Sequence, residues 1–109
     1  VIAASAATGI RELEAGPQQF YLAQNFPNPF NGATTIRYDL ATAEKIQFEV
    51  FDLRGNIVYQ KDIGRQSAGR HEFTWEAVNA SGKPLSSGIY FYTLDGKKKL
   101  PIRKLLLLK

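Results

Sequence analysis

Residues 34–40 read "TTIRYDL", and their alternation decides the fold. Ile36, Tyr38 and Leu40 fall on one side of an extended chain; Thr35, Arg37 and Asp39 fall on the other. A spacing of two marks a half-buried β-strand, because successive side chains point to opposite faces. The same rhythm recurs outward from this stretch. "KIQFEVFDL" (45–53) sets Ile46, Phe48 and Val50 in phase, "RGN" (54–56) supplies a turn, and "IVYQKDI" (57–63) returns, which predicts a hairpin over 45–63. "HEFTWE" (71–76) opposes His71, Phe73 and Trp75 to Glu72, Thr74 and Glu76. "NASGKPLSSG" (79–88) has loop composition. "IYFYTL" (89–94) is followed by Asp95-Gly96 as a predicted hairpin turn and by "KLPIRKLLLL" (99–108) as the last strand. Pro101 cannot donate to a ladder, which places that strand at an edge or at a bulge.

Six such strands, with a short one at "FYLAQ" (20–24), predict an all-β, immunoglobulin-like antiparallel sandwich of about seven strands. Trp75 is the expected large core residue, since aromatic burial dominates small cores. Residues 1–19 differ in kind: small residues and then "RELEAGPQQ". We read them as an inter-domain linker, with one helical turn around "GIRELEAG", and residues 20–109 as the sandwich. A chain with no methionine and no signal-peptide pattern reads as a piece of a longer polypeptide.

Composition bounds the chemistry. The 109 residues contain no cysteine and a single histidine, so thiol nucleophiles and Cys- or multi-His metal sites drop out, and no cofactor is expected. His71 lies mid-strand in phase with Phe73 and Trp75, the pattern of a packed strand residue rather than a catalytic base. Glu72 and Glu76 would stand roughly 13 Å apart along a strand, too wide for a retaining or inverting carboxylate pair. No glycine-rich phosphate loop and no calcium-loop spacing occurs, so the sequence reads as no enzyme. The run "LLLL" (105–108) is far too short to span a membrane.

Two binding readings stand. Tyr90 and Tyr92 share a strand face opposite Phe91: exposed, they would form a stacking platform for sugar rings. The preferred alternative points Phe91 to the core and lets the tyrosines cover a sheet or a neighbouring domain. Charge supplies the second reading. Residues 97–109 carry Lys97, Lys98, Lys99, Arg103, Lys104 and Lys109 with no acid, or +6, within a chain of net +4. This segment is either a lysine-protected edge strand, a recognition tag, or a contact for an anionic surface. It lacks aromatics, which argues against nucleic acid.

Taken together, "YLAQNFPNPFNGATTIRYDL", "VFDLRGNIV", "SAGRHEFTWEAVNASGKPLSSGIYFYTL" and the terminal "RKLLLLK" closely resemble the type A C-terminal sorting domain of the type IX secretion system, found in Bacteroidetes and their relatives. The resemblance covers residues 20–109. Its most specific parts are Asn25, Phe26, Pro27, Asn28, Pro29, Phe30 and Asn31, with Gly55, Gly69, Gly82, Gly88 and Tyr90, and the short basic-apolar end. The immunoglobulin-like domain of a flagellar hook-capping protein shares the "G…SSGIYFY" part and fits the PNPFN element and the chain's finish less well. The resemblance implies that residues 1–19 link to an N-terminal cargo domain, and that residues 20–109 are a secretion signal that takes this cargo from the periplasm across the outer membrane to the cell surface or the medium. Its implied partners are the translocon, a sortase-like peptidase that cuts in the linker, and an anionic surface glycolipid after processing. It also implies that Lys99 and the segment Arg103, Lys104, Leu105, Leu106, Leu107, Leu108 and Lys109 carry recognition. The runner-up is an accessory carbohydrate-binding or structural immunoglobulin-like module of an extracellular enzyme. Gly32-Ala33 stands where the resembled family usually has Pro-Ser, read as a swap within turn chemistry. Within "QNFPNPFN" (24–31), the prolines stiffen the chain, the asparagines bond nearby backbone, and Phe26 and Phe30 cap the core.

Overall fold

Alternating apolar residues need two sheets face to face to bury them, and the chain provides them. The computed structural model describes residues 19–96 and 101–109. The expected linker, its helical turn and Lys99 lie outside them, apart from Gln19. Seven strands form: β1 (Tyr21–Leu22), β2 (Thr34–Leu40), β3 (Glu44–Phe51), β4 (Ile57–Gln66), β5 (Gly69–Trp75), β6 (Gly88–Asp95) and β7 (Arg103–Leu107). They make an antiparallel three-stranded sheet, β1-β2-β5, and an antiparallel four-stranded sheet, β4-β3-β6-β7. The immunoglobulin-like sandwich expected from the sequence is the observed fold, and no helix occurs among the described residues.

The core follows the period-two pattern. Ile36, Tyr38 and Leu40 of β2 meet Ile46, Phe48 and Val50 of β3, all buried. Phe48 is the hub: Phe73, Trp75, Tyr59 and Tyr92 lie around it with ring centroids 5.0, 5.7, 6.1 and 6.3 Å away. The β3–β4 hairpin turns through Gly55, whose φ of +87° favours a residue without Cβ. Asp52 organises that turn by accepting the amides of Arg54 and Asn56, each at 2.9 Å, and these bonds hold its carboxyl below the usual carboxylate range.

Four expectations need correction. Tyr90 and Tyr92 point into the core, 9% and 0% exposed, while Phe91 lies on the outer side. The sugar platform and its preferred alternative therefore both had the phase of β6 inverted. The last strand begins at Arg103, not Lys99, and Pro101 precedes it. Asp95-Gly96 is not by itself the hairpin turn: β6 ends at Asp95 and β7 begins at Arg103, and among the described residues their ladder starts at Tyr92 opposite Arg103. Phe26 is 75% exposed and caps nothing; Phe30 alone is buried.

Candidate functional site

The segment that sets Phe26 apart from Phe30 also builds the most elaborated polar site in the molecule. From β1 the chain runs along the edge of β2. The Ala23 N–H donates to the Arg37 carbonyl at 3.0 Å, and Phe26 exchanges two backbone bonds with Thr35 at 3.1 and 2.8 Å. Pro27 and Pro29 have no N–H to continue that ladder, so the segment leaves the three-stranded sheet there. Asn25, 2% exposed, secures the departure. Its Nδ2 donates to the Pro27 carbonyl at 3.1 Å and to Thr34 Oγ1 at 3.0 Å, and the Thr34 hydroxyl donates to the same carbonyl at 2.9 Å. Phe26 stays with β2 and faces solvent; four residues later Phe30 has crossed the open side of the sandwich and drops into the core beside Trp75.

There the segment meets the chain's other end. Phe30 bridges Leu107 in parallel: its N–H donates to the Leu106 carbonyl at 3.0 Å and its carbonyl accepts the Leu108 N–H at 2.9 Å. Asn28 Oδ1 accepts the Leu106 N–H at 2.9 Å, and Gln24 Nε2 donates to the Lys104 carbonyl at 2.6 Å. Arg103 Nε reaches back to the Leu22 carbonyl at 2.9 Å, and its guanidinium lies 5.8 Å over the Tyr21 ring. Below this strap the Tyr92 hydroxyl donates to the Ala23 carbonyl at 2.7 Å; burial pushes that phenol up to about 12. The Lys109 N–H donates to Ser87 Oγ at 3.0 Å. β7 is last in its sheet, yet its outer backbone edge is occupied at Lys104, Leu106 and Leu108.

The residues singled out at the two ends of the sequence thus form one structural unit. Within the terminal segment, Leu105 and Leu107 are wholly buried, Arg103 and Leu106 are half-buried, and Lys104, Leu108 and Lys109 are exposed. Of the asparagines, Asn25 bonds nearby backbone as expected, Asn28 bonds a strand far along the chain, and Asn31 is exposed. Gly82 turns at φ +81° in a loop where Asn79 Oδ1 accepts the amides of Ser81 and Lys83. Tyr90, beyond Gly88, anchors the approach to β6 by donating its hydroxyl to the Ser86 carbonyl at 2.8 Å. Gly32 has φ +92°, a conformation closed to proline.

Elsewhere the surface is plain. His71 stacks on Tyr38 with ring centroids 5.2 Å apart, and its Nε2 lies 2.8 Å from the Ser67 carbonyl. Glu72 pairs with Arg37 at 3.3 Å. No group of three His, Cys, Asp or Glu converges among the described residues, nor is there among them a helix long and apolar enough to cross a membrane. A shallow groove of about 430 Å³ lies beside the strap, lined by Gly32, Glu76, Val78, Pro84 and Lys109 among others.

Comparison with known proteins agrees with this architecture. The family model of the FlgD Ig-like domain matches residues 26–99. Dimeric latent PorU from Porphyromonas gingivalis superposes with a TM-score of 0.71 at 17% identity, covering 85% of this chain and 10% of that one. PorZ, a surface component of the type IX secretion system of the same organism, gives 0.54 at 21% identity over 91% of this chain and 12% of its own. FlgD from P. aeruginosa gives 0.55 at 21% identity, over 68% of this chain and 57% of that one. These likenesses concern the fold, and the chain spans only a tenth of the length of PorU and about an eighth of PorZ. No curated protein matches the chain by sequence.

Proposed function

The chain belongs to the FlgD Ig-like domain family, and from that premise we propose that it is a non-catalytic C-terminal secretion-signal domain, which directs an N-terminally fused cargo through the type IX secretion system to the cell surface. The observation that carries this reading is the strap. The PNPFN element and the terminal basic-apolar segment, both among the marks of the resembled sorting domain, fasten to each other through Asn28, Phe30, Leu106 and Leu108. A scaffold that holds the segment 103–109 in one place suits a signal read at that segment. A similarly folded stretch of PorZ, a surface component of the type IX secretion system, supports the reading with a structural precedent within that system. The rival carbohydrate-binding module loses its motivating residues, because Tyr90 and Tyr92 are core.

The test is sufficiency. A folded reporter fused in front of residues 1–109, with its own signal for the inner membrane, is expressed in a type IX-secreting bacterium and in a strain lacking the translocon. The fusion should reach the surface or medium only in the first. Retention in the periplasm of both strains would refute the sorting role and leave a structural module.

A further inference from the structure

Five asparagines occur in the chain, at positions 25, 28, 31, 56 and 79, and only Asn31 is followed by glycine. An asparagine reacts with its own backbone when the next residue's amide nitrogen reaches its side-chain carbonyl carbon. Glycine obstructs that approach least, because it has no Cβ. The structure leaves this pair open to the reaction. Asn31, Gly32 and Ala33 are all exposed, between buried Phe30 and buried Thr34. Among the described residues, neither the Asn31 side chain nor the Gly32 N–H has a hydrogen-bond partner. Beyond the adjacent residues, no described atom lies within 4 Å of where a Gly32 Cβ would stand. Gly32 also borders the groove shared with Glu76 and Lys109, which brings water to the turn.

Comparable pairs elsewhere are closed. Asn28 precedes Pro29, which has no N–H to lose, and its Oδ1 is held by the Leu106 amide. Asn25 is buried, and Asn79 Oδ1 is held by the amides of Ser81 and Lys83. Asp95-Gly96 could form the same ring, but Asp95 sits in the ladder opposite Gln47 and a Cβ on Gly96 would lie 3.0 Å from the Lys45 carbonyl oxygen. We propose that Asn31-Gly32 is a self-modification site that rewrites the strap. The Gly32 nitrogen bonds to Asn31 Cγ, the Cγ–Nδ2 bond breaks, and the proton lost by Gly32 leaves with Nδ2 as ammonia. Water then opens the resulting succinimide at either carbonyl, giving aspartate or isoaspartate. Both products carry a new carboxylate, and isoaspartate also adds a methylene to the main chain between Phe30 and Thr34. Phe30 anchors the strap: its ring packs beside Trp75, and its carbonyl, next to Asn31, accepts the Leu108 N–H at 2.9 Å. A longer link to β2 therefore loosens the hold on the terminal segment from outside that segment.

The test is ageing of the purified chain in warm, mildly alkaline buffer. An acidic isoform should accumulate on isoelectric focusing, peptide mapping should place the change at Asn31, and an isoaspartyl methyltransferase should label it. Gly32→Ala should slow the change about tenfold. Asn31→Gln, which leaves the glycine of the turn in place, should abolish it at that position, so the site stays testable where Gly32→Ala is strained by its positive φ. In the separated isoaspartyl fraction the Leu108 amide should exchange with deuterium severalfold faster than in fresh chain, while the β3–β6 ladder keeps its protection. Ageing that spares Asn31, or that spreads evenly over the five asparagines, overturns the site. Equal protection of Leu108 in modified and fresh chain overturns its effect on the strap.

Discussion

Asn25 and Asn31 bracket the same short element and are chemically identical, yet the fold asks opposite things of them. Asn25 is sealed in, with its amide shared between the Pro27 carbonyl and Thr34 and its Oδ1 accepting Gln24 Nε2 at 2.6 Å. Asn25→Ala removes the partner of buried polar groups, which typically costs about 1–3 kcal/mol. For a domain of this size that lowers the melting temperature by roughly 4–8 °C per kcal/mol, readable by calorimetry. Asn31→Ala, at an exposed site, should stay within about 0.5 kcal/mol. The two phenylalanines make the same contrast. Phe30→Ala opens a cavity beside Trp75 and should cost about 3–5 kcal/mol, whereas Phe26→Ala should be nearly silent. Equal losses for Phe26 and Phe30 would contradict the crossing between them. Nothing in "NFPNPFN" distinguishes the two rings: the decision is made by where the prolines break the ladder with β2, and that depends on a strand the local sequence does not contain.

At the scale of the element, β7 and the strap stand or fall together. Deleting residues 103–109 exposes the core left by Leu105 and Leu107 and frees the edge of β6, a loss comparable to a small domain's whole stability of about 5–15 kcal/mol. The truncated domain should be unfolded by circular dichroism, so its failure to export would not show that the segment is recognised. Surface changes are needed for that. Asn28→Ala is gentler: with its acceptor gone, the Leu106 amide should exchange with deuterium about tenfold faster while amides in the β3–β6 ladder keep their protection. Uniform loss of protection would mean that the strap is not a separable element. The strands themselves were legible, because β2, β3 and β5 alternate polar with apolar. β6 was legible as a strand but not in phase: "IYFYTL" is apolar at every position but Thr93, so period two gives no face. The phase is fixed instead by the hydroxyls of Tyr90 and Tyr92, which find the carbonyls of Ser86 and Ala23 inside the fold. The seam between residues 24 and 104 was invisible for a plainer reason: a contact 80 residues long leaves no periodicity.

For the molecule as a whole, those buried phenols give the stability a directional pH dependence. Burial raises Tyr38 and Tyr90 above their ordinary value near 10 and carries Tyr92 to about 12. A phenol whose folded pKa lies above its unfolded one ionises first in the unfolded chain. Its contribution is fully present below about pH 10 and drains away as pH rises from there through about 12. The sandwich should therefore tolerate neutral and mildly basic conditions and lose cooperativity in that alkaline window, with the rise of phenolate absorbance tracking the loss of tertiary signal. Tyr92→Phe separates the two roles of that side chain. It forfeits the hydrogen bond to Ala23 that holds the strap over β6, costing about 1 kcal/mol at neutral pH. It also removes the most strongly shifted phenol, so the alkaline midpoint should move upward relative to the neutral stability even as the neutral stability falls. If Tyr92→Phe lowered both together, the alkaline transition would belong to other groups; an unchanged neutral stability would mean that the strap is not held from below by Tyr92.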